Sequence, residues 1–175
     1  MNDVAQQGQG FTTKFIRIAQ PADAASCKAI AEAAYAKYVP HMAKPPAPVF
    51  YDYAKVFSNG FSFVFVDGEA PIAMVTLIPE GGHLLLQNLA VLPEYQRRGI
   101  GRMFLDFAEC QAADRELPEI RLWTNEKMAE NVPYYERLGY TVTHRAVVDG
   151  YSRIFMSKKL PNAKEAQQTP IVSLD

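Results

Sequence analysis

The chain has 175 residues, of which 49% are hydrophobic, so it is long enough to form one domain with a sizeable core. Its 18 lysine and arginine residues are balanced by 19 aspartate and glutamate residues, which gives a net charge of -1. That balance excludes the broad basic field with which proteins hold nucleic acid or an anionic membrane surface.

The cysteines and the start of the chain exclude further classes. Cys27 and Cys110 lie in no CxxC or Cys/His pattern, so the sequence predicts neither a disulfide framework nor a metal site. Residues 1–10 show no basic and apolar leader pattern, and no apolar run approaches the roughly 18 residues of a membrane span. We therefore expect a cytoplasmic protein without a membrane partner.

The chain divides into a polar start, one domain and a polar tail. Residues 1–13 lack hydrophobic periodicity and are expected to be disordered, and residues 161–175 form a polar tail without a regular pattern. The folded domain is expected over residues 14–160. No internal repeat or linker divides it.

The domain begins with a strand and a helix. Alternating residues predict a strand near residues 15–18, and Pro21 with Asp23 starts an alanine-rich helix over about residues 22–38, ending before Pro40. The segment from residue 40 to residue 53 combines four prolines with aromatic residues. A long irregular loop in a compact domain is usually functional, so substrate contact is our preferred interpretation and capping of the core is the alternative.

A short helix near residues 51–58 leads into three antiparallel strands and a longer helix. The strands are predicted at residues 61–66, 71–78 and 84–91, with turns at their Gly-containing connections. Apolar residues then recur at helical spacing over residues 96–114.

The last part of the domain predicts a strand, a short helix and a closing hairpin. A strand over residues 119–123 follows the long helix, so it should pair in parallel through a right-handed crossover. Asn131 begins a short helix that Gly139 stops, and strands at residues 140–148 and 152–157 end the domain. The fold class is therefore α/β with a mixed sheet.

The turn between the strand at 84–91 and the long helix has the chemistry of an anion site. It contains the run Gln96-Arg97-Arg98-Gly99-Ile100-Gly101. Unpaired N–H groups and the positive end of the helix dipole suit a ligand with phosphates. The run lacks the Lys and Ser or Thr of a P-loop and the third glycine of a dinucleotide fingerprint, which leaves dinucleotide binding as a weak alternative.

The same run resembles the Q/RxxGxG/A signature of the GCN5-related N-acetyltransferase (GNAT) superfamily. Two further segments fit that family in order and spacing: Asn88-Leu89-Ala90-Val91 with Pro93 and Tyr95, and Asn131 with the run from Tyr134 to Tyr140. The resemblance extends from about Lys14 to Leu160. It implies the GNAT fold, a mixed and mostly antiparallel sheet of six to seven strands flanked by about four helices.

The resemblance also implies acetyl-CoA, or a related acyl-CoA, as the cofactor that donates the acyl group. In relatives the pyrophosphate rests on the glycine turn and the pantetheine arm lies along the preceding strand, where Gln87-Asn88 favours a bend or bulge. The residues expected to contact the cofactor are Leu89, Ala90, Val91, Gln96, Arg97, Arg98, Gly99, Ile100, Gly101, Arg102, Asn131 and Tyr135. The alternative for each single arginine is a solvated charge, and for Asn131 it is a helix N-cap.

Tyr135 is the expected catalytic residue, because it matches the family tyrosine near the CoA sulfur and a phenol can donate to a leaving thiolate. Tyr134 points about 100 degrees away on the helix and is assigned to packing. The Leu89 N–H is expected to meet the developing oxyanion, as in relatives. Many relatives carry Glu at the position of Gln87, so the base stays open among ordered water, His41, Glu80 and Tyr53.

These features predict an N-acetyltransferase that transfers an acetyl group from acetyl-CoA to a primary amine by direct attack on the thioester. The acceptor, a small-molecule or protein amine, is expected against Tyr35, Tyr38, Tyr53 and Gln87, whose aromatic walls suit a hydrophobic or cationic amine. Exposed strands at the closing hairpin could support a homodimer. Gln87 keeps open the alternative of a catalytically weak acyl-CoA-binding regulatory module.

Overall fold

The computed structural model describes residues 13–161, which form a seven-stranded sheet with helices on both faces. The strands are β1 (Lys14–Ile18), β2 (Ser62–Asp67), β3 (Ala70–Glu80), β4 (His83–Val91), β5 (Glu119–Asn125), β6 (Thr141–Val148) and β7 (Tyr151–Lys159). The α-helices are α1 (Ala24–Tyr35), α2 (Tyr53–Phe57), α3 (Ile100–Ala113) and α4 (Asn131–Glu136). Short 3-10 helices span Pro21–Asp23, Ala36–His41, Ala47–Phe50 and Pro93–Tyr95. The predicted disordered start and polar tail lie outside the described residues, apart from Thr13 and Pro161.

The strand order is β1-β2-β3-β4-β5-β7-β6, and β4 with β5 is the parallel pair among the described strands. The parallel pairing follows from α3, which crosses from the end of β4 to the start of β5. The predicted mixed, mostly antiparallel sheet with four α-helices is therefore confirmed.

Each face of the sheet has its own core. On one face, called the α3 face here, apolar side chains of α3 such as Phe104 and Ala108 pack with Leu84 and Ile120 of the central strands. On the other, called the α1 face, residues of α1 and α2 pack over β2, β3 and β4. The helices cover the sheet on both sides, as the apolar strands require.

Two predicted helix boundaries are wrong. The first helix ends at Tyr35, and the 3-10 helix that continues it contains Pro40 instead of stopping before it. Proline fits there because its fixed φ suits a short helical stretch with few hydrogen bonds to lose. The helix expected from Gln96 begins at Ile100, because Arg97 and Gly99 have φ values of 59 and 83 degrees.

β4 separates from β5 after a short paired stretch. Residues 84–86 pair with residues 120–122, and the described structure records no further pairing along these two strands. On the opposite edge of β4, Asn88 pairs with Thr76 while Leu86 pairs with Leu77, so Gln87 is the extra residue of a β-bulge. The bulge predicted at Gln87-Asn88 is confirmed.

The bulge also changes which side chains of β4 face each core. Leu86 lies in the α3-face core before the bulge, and Leu89 and Val91 pack there after it. Ala90 joins the α1-face core instead. A regular strand would have placed Ala90 on the same face as Leu86, since side chains alternate with a period of two.

Asp23 ties the end of β1 to the start of α1. Its carboxylate is 7% exposed and accepts hydrogen bonds from Arg17 at 2.6 and 2.8 Å and from the Gln20 N–H at 2.7 Å. The hydrogen bond from Arg17 lowers the pKa of Asp23 against the opposing effect of burial.

We expect Asp23→Ala to lower the free energy of unfolding by about 2 kcal/mol at pH 7, because it leaves the Arg17 guanidinium without its part-buried partner. The folded-state pKa of Asp23 is lowered, so its stabilisation is complete above its unfolded pKa of about 3.9 and is lost as pH falls through the folded value. Urea denaturation at pH 7 and at lower pH measures the difference, which should narrow with acid. Asp114→Ala, at an exposed carboxylate after α3, is the control and should change stability by less than about 0.5 kcal/mol. An equal loss for Asp23→Ala at both pH values would contradict this assignment.

Candidate active site

A cleft of about 660 Å³ occupies the gap between β4 and β5. It is lined by the start of α3 and by α4 on the α3 face, and by α1 and the loop after it on the α1 face. Its volume lies in the range of small-molecule sites. The cleft therefore connects the two faces of the sheet through the opening beside the bulge.

The end of the cleft on the α3 face carries a cradle of backbone N–H groups. Arg97 and Gly99 both have left-handed conformations, and Gly99 caps α3. Met103 donates to the Gly99 carbonyl at 2.9 Å, so the N–H groups of the residues just before Met103 have no partner within the helix. Backbone that alternates in this way can aim successive N–H groups at one anion, at the positive end of the helix dipole.

The arginines of this turn have different placements. Arg97 and Arg102 line the cleft. Arg98 instead lies over the ring of Tyr95, with 5.2 Å between the guanidinium carbon and the ring centroid. Arg98 is not among the residues that line the cleft.

Three contacts hold the turn in place. The side-chain amide of Gln96 donates to the Val91 carbonyl at 3.0 Å and ties the turn to the end of β4. Ile100 is buried in the α3-face core. At Gly101, a Cβ atom would lie 3.3 Å from the Tyr134 hydroxyl, so glycine lets Tyr134 approach the helix start. Tyr134 packs against the core as predicted and also lines the cleft, which the sequence analysis missed.

Asn131 lines the cleft as the first residue of α4, whose N-cap is Glu130. Its side-chain amide donates to the hydroxyl of Thr124, on β5, at 2.9 Å. The N-cap alternative for Asn131 is thus not what the structure shows. The bond to Thr124 leaves the side-chain carbonyl of Asn131 as its acceptor group.

Tyr135 lines the cleft one turn after Asn131. Its ring contacts those of Tyr134 and Tyr140, with centroids 5.4 and 5.7 Å away. Burial raises the pKa of Tyr135, and the neighbouring Tyr134 and Tyr38 act in the same direction. The phenol therefore stays protonated at neutral pH.

Two tyrosines of α1 and the segment after it form the wall on the α1 face. The Tyr35 hydroxyl donates to the Asn88 side-chain oxygen at 2.8 Å and also contacts the Leu89 carbonyl at 3.3 Å. The Tyr38 hydroxyl donates to the Glu130 carboxylate at 2.5 Å. These bonds connect the α1 region to β4 and to the start of α4.

Tyr53 lies in the α1-face core and is not among the residues that line the cleft. It is 2% exposed, its hydroxyl donates to the Pro48 carbonyl at 2.9 Å, and the Asn88 amide approaches that hydroxyl at 3.4 Å. This placement corrects the expectation that Tyr53 touches the acceptor. Gln87, in contrast, lines the cleft at the bulge.

The three side chains considered as bases lie away from the cleft wall. His41 and Glu80 are exposed on the surface, and Tyr53 is buried. Among the described residues, the carboxylate that lines the cleft is Glu130, which the sequence analysis missed. Although desolvation opposes it, hydrogen bonds from Lys37 and Tyr38 lower the pKa of Glu130 to about 2, so it is a weak base.

The cleft residues that the sequence analysis missed also include Trp123 of β5 and Arg153 of β7. Both strands alternate, with Leu122 and Ile154 in the α3-face core, so their neighbours point to the other face. This alternation could have predicted that Trp123 and Arg153 share a face, but only if the adjacency of β5 and β7 had been known.

A model of the acetyltransferase (GNAT) domain matches residues 58–142. The match includes the bulge of β4, the glycine turn, Asn131 and Tyr135. Over residues 58–142 the chain is therefore similar to a GNAT acetyltransferase domain. The predicted resemblance to this family, with acetyl-CoA as the family's acyl donor, is confirmed over these residues.

Solved structures share the fold of this chain at low sequence identity. The PaiA N-acetyltransferase of Thermoplasma acidophilum, solved in complex with coenzyme A, is 18% identical with a TM-score of 0.71, over 85% of this chain and 99% of that chain. The ribosomal-protein-S18-alanine N-acetyltransferase of Escherichia coli is 21% identical with a TM-score of 0.66, over 86% and 96%. A nourseothricin acetyltransferase is 21% identical with a TM-score of 0.64, over 86% and 100%. No curated protein sequence matches the chain.

The described residues were predicted neither to bind a metal nor to span a membrane, and two findings concern these features. They contain no group of three or more His, Cys, Asp or Glu residues that could hold a metal ion. Across residues 13–161, no helix is long and apolar enough to cross a membrane.

We expect Gly99→Ala to weaken acetyl-CoA binding at least about tenfold, because a Cβ at a φ of 83 degrees strains the turn and moves its N–H groups. Calorimetric titration with acetyl-CoA measures the affinity. Gly60→Ala is the matched control, since Gly60 has a φ of 74 degrees, equally open space and a position outside the cleft. Both variants should lose similar stability, and equal acetyl-CoA affinity in the two would show that the turn does not bind the cofactor.

Proposed function

We propose that the protein transfers the acetyl group of acetyl-CoA to a primary amine by direct attack of the amine on the thioester. The observation that carries this proposal is the cleft itself, which joins an N–H cradle on the α3 face to a tyrosine-lined wall on the α1 face. The cradle suits a pyrophosphate, and the opening between the strands suits the narrow pantetheine arm. The acceptor then approaches from the opposite face.

At the donor end of the cleft we assign cofactor contacts to the residues expected from the family resemblance, most of which line the cleft. The N–H groups of residues 97–102 hold the pyrophosphate, with Arg97 and Arg102 adding charge. The edge of β4 from Leu89 to Val91 faces the gap left by β5 and offers backbone groups to the pantetheine amides. The Asn131 side-chain carbonyl accepts from the same arm.

Tyr135 acts as the general acid in this proposal. The amine nitrogen forms a bond to the carbonyl carbon, the carbon–sulfur bond breaks, and the leaving sulfur takes the proton of the phenol. The phenolate then regains a proton from the nitrogen that has attacked, which leaves a neutral amide and free thiol. The burial that keeps Tyr135 protonated also makes its phenol a weaker acid. Its hydrogen bond to the sulfur therefore stabilises the transition state as negative charge develops on that atom. The Leu89 N–H meets the carbonyl oxygen.

The attacking amine must be neutral, and the described residues of the cleft offer it no strong base. Glu130 is committed to Lys37 and Tyr38, and its lowered pKa makes it a poor proton acceptor. Gln87 lines the cleft but its amide is not a base. We therefore assign deprotonation to solvent water before the amine attacks.

Thiol release from acetyl-CoA over a panel of amines tests the function. We expect Tyr135→Phe to lower kcat by about 10²-fold or more, within the range of general acid catalysis, and to change acetyl-CoA affinity less. Tyr140→Phe is the matched control, because it removes a buried hydroxyl from the ring beside Tyr135, outside the cleft. Unchanged kcat in Tyr135→Phe would remove this residue from catalysis. Binding of acetyl-CoA without thiol release for any amine would favour the alternative of an acyl-CoA-binding module. Binding of NAD alone would favour the alternative of a dinucleotide-binding protein.

We expect kcat/KM to rise with pH until the acceptor amine is fully neutral. Because burial raises the pKa of Tyr135, the protonated phenol is retained, and the activity should not fall until pH exceeds the ordinary tyrosine value of about 10. Rates across pH with two acceptors of different amine pKa measure this, and the midpoint should follow the acceptor. A midpoint that stays fixed at one pH for both acceptors would instead reveal a base on the enzyme.

A further inference from the structure

A cation lies at the end of the cleft on the α1 face. Arg153, near the start of β7, lines the cleft with a side chain that is 17% exposed. Its guanidinium carbon lies 4.9 Å from the Trp123 ring centroid and 6.0 Å from the Tyr151 ring centroid. Aromatic faces therefore fix the position of this charge and shield it from water.

The sheet register places Arg153 on the acceptor side. Arg153 pairs with Asn125 at the end of β5, while Trp123 pairs with Phe155. Ile154 points into the α3-face core, so Arg153 points to the other face. The guanidinium is consequently across the sheet from the N–H cradle and from Arg97 and Arg102.

The charge of Arg153 has only a weak partner among the described residues. Its ion pair is with the Asp149 carboxylate at 3.7 Å, and the Asp149 side chain is 79% exposed. An ion pair with so exposed a partner contributes little free energy. The carboxylate that lines the cleft, Glu130, is already bonded to Lys37 and Tyr38. Burial raises the pKa of Tyr51 in the same wall, and Arg153 acts in the opposite direction, as a nearby positive charge should.

The loop over Arg153 is held in place by the turn before β7. The Tyr151 hydroxyl donates to the Pro45 carbonyl at 2.8 Å. The Lys44 ammonium lies 4.0 Å from the Tyr151 ring centroid and donates to the Asp149 carbonyl. Three contacts therefore fix the loop after α1 against the β6–β7 hairpin, so the pocket around Arg153 is preformed.

We propose that Arg153 binds a carboxylate of the acceptor, so the substrate class is an amine that also carries a carboxylate, such as an amino acid. This inference rests on the proposed acetyl transfer. The guanidinium offers a planar pair of donors that matches a carboxylate, and the rings of Trp123 and Tyr151 beside it shield the pair from water. A simple alkylamine or a polyamine has no group for this site and meets a like charge there.

The test compares amino acids with their C-terminal amides, which differ at the carboxylate alone. Thiol release from acetyl-CoA is measured for each common L-amino acid and its amide, with rates corrected to the concentration of neutral amine. The wild-type protein should prefer the best acid over its amide by at least about tenfold in kcat/KM, the effect of one charge-assisted hydrogen-bonded pair. Arg153→Met should bring that ratio close to one, mainly through KM, and Arg153→Lys should give an intermediate ratio.

Arg145→Met is the matched control, since Arg145 is an exposed arginine of the same hairpin that does not line the cleft. It should keep the wild-type preference. Calorimetric titration with acetyl-CoA shows that each variant has kept its donor site. A wild-type ratio near one, or a ratio that survives Arg153→Met, would overturn the assignment of Arg153.

The same assay separates this inference from the function on which it rests. Release with amides or with putrescine but not with acids would overturn the carboxylate site and leave acetyl transfer standing. Release with no amine of any class would overturn the proposed transfer itself.

Discussion

The separation of β4 from β5 is the constraint on which the rest of the site depends. Strand edges inside a protein need partners for their N–H and C=O groups. Beyond the bulge at Gln87, two of these groups on β4 are met by side chains, the Leu89 carbonyl by Tyr35 and the Val91 carbonyl by Gln96. The remaining edge faces the cleft, so a ligand with amide groups can take the place of the missing strand.

That opening divides the chemistry between the two faces of the sheet. The α3 face supplies helix-start N–H groups and two arginines, which we propose hold a phosphate-bearing donor. The α1 face supplies tyrosines, Trp123 and Arg153, where we propose that the acceptor binds. Glu130 joins the two sides, because it lies at the N-cap of α4 and accepts from Tyr38. Its carboxylate is paired with Lys37, so it is not available to neutralise Arg153.

Whether a predicted site residue lies where we expected depends on whether its position is set by neighbours in the chain or by distant residues. The glycine turn, the bulge and the helix bearing Asn131 and Tyr135 lie where their own sequences indicate, since backbone conformation and helix spacing are short-range properties. Tyr53 was misplaced because an aromatic residue beside a proline-rich loop suits a core and a pocket wall equally well. It is buried in the α1-face core, where the Asn88 amide reaches its hydroxyl from 35 positions away, a contact that sequence spacing alone does not reveal.

The sequence by itself determined the order of elements, the parallel crossover, the glycine turn and the resemblance to the family, because each rests on residues close together in the chain. Tertiary structure alone decided which side chains share the cleft. Tyr38 meets Glu130 from 92 positions away, and Arg153 meets Trp123 only because β7 lies beside β5. Such encounters depend on strand order and register, and the bulge at Gln87 further changes which face each later residue of β4 occupies.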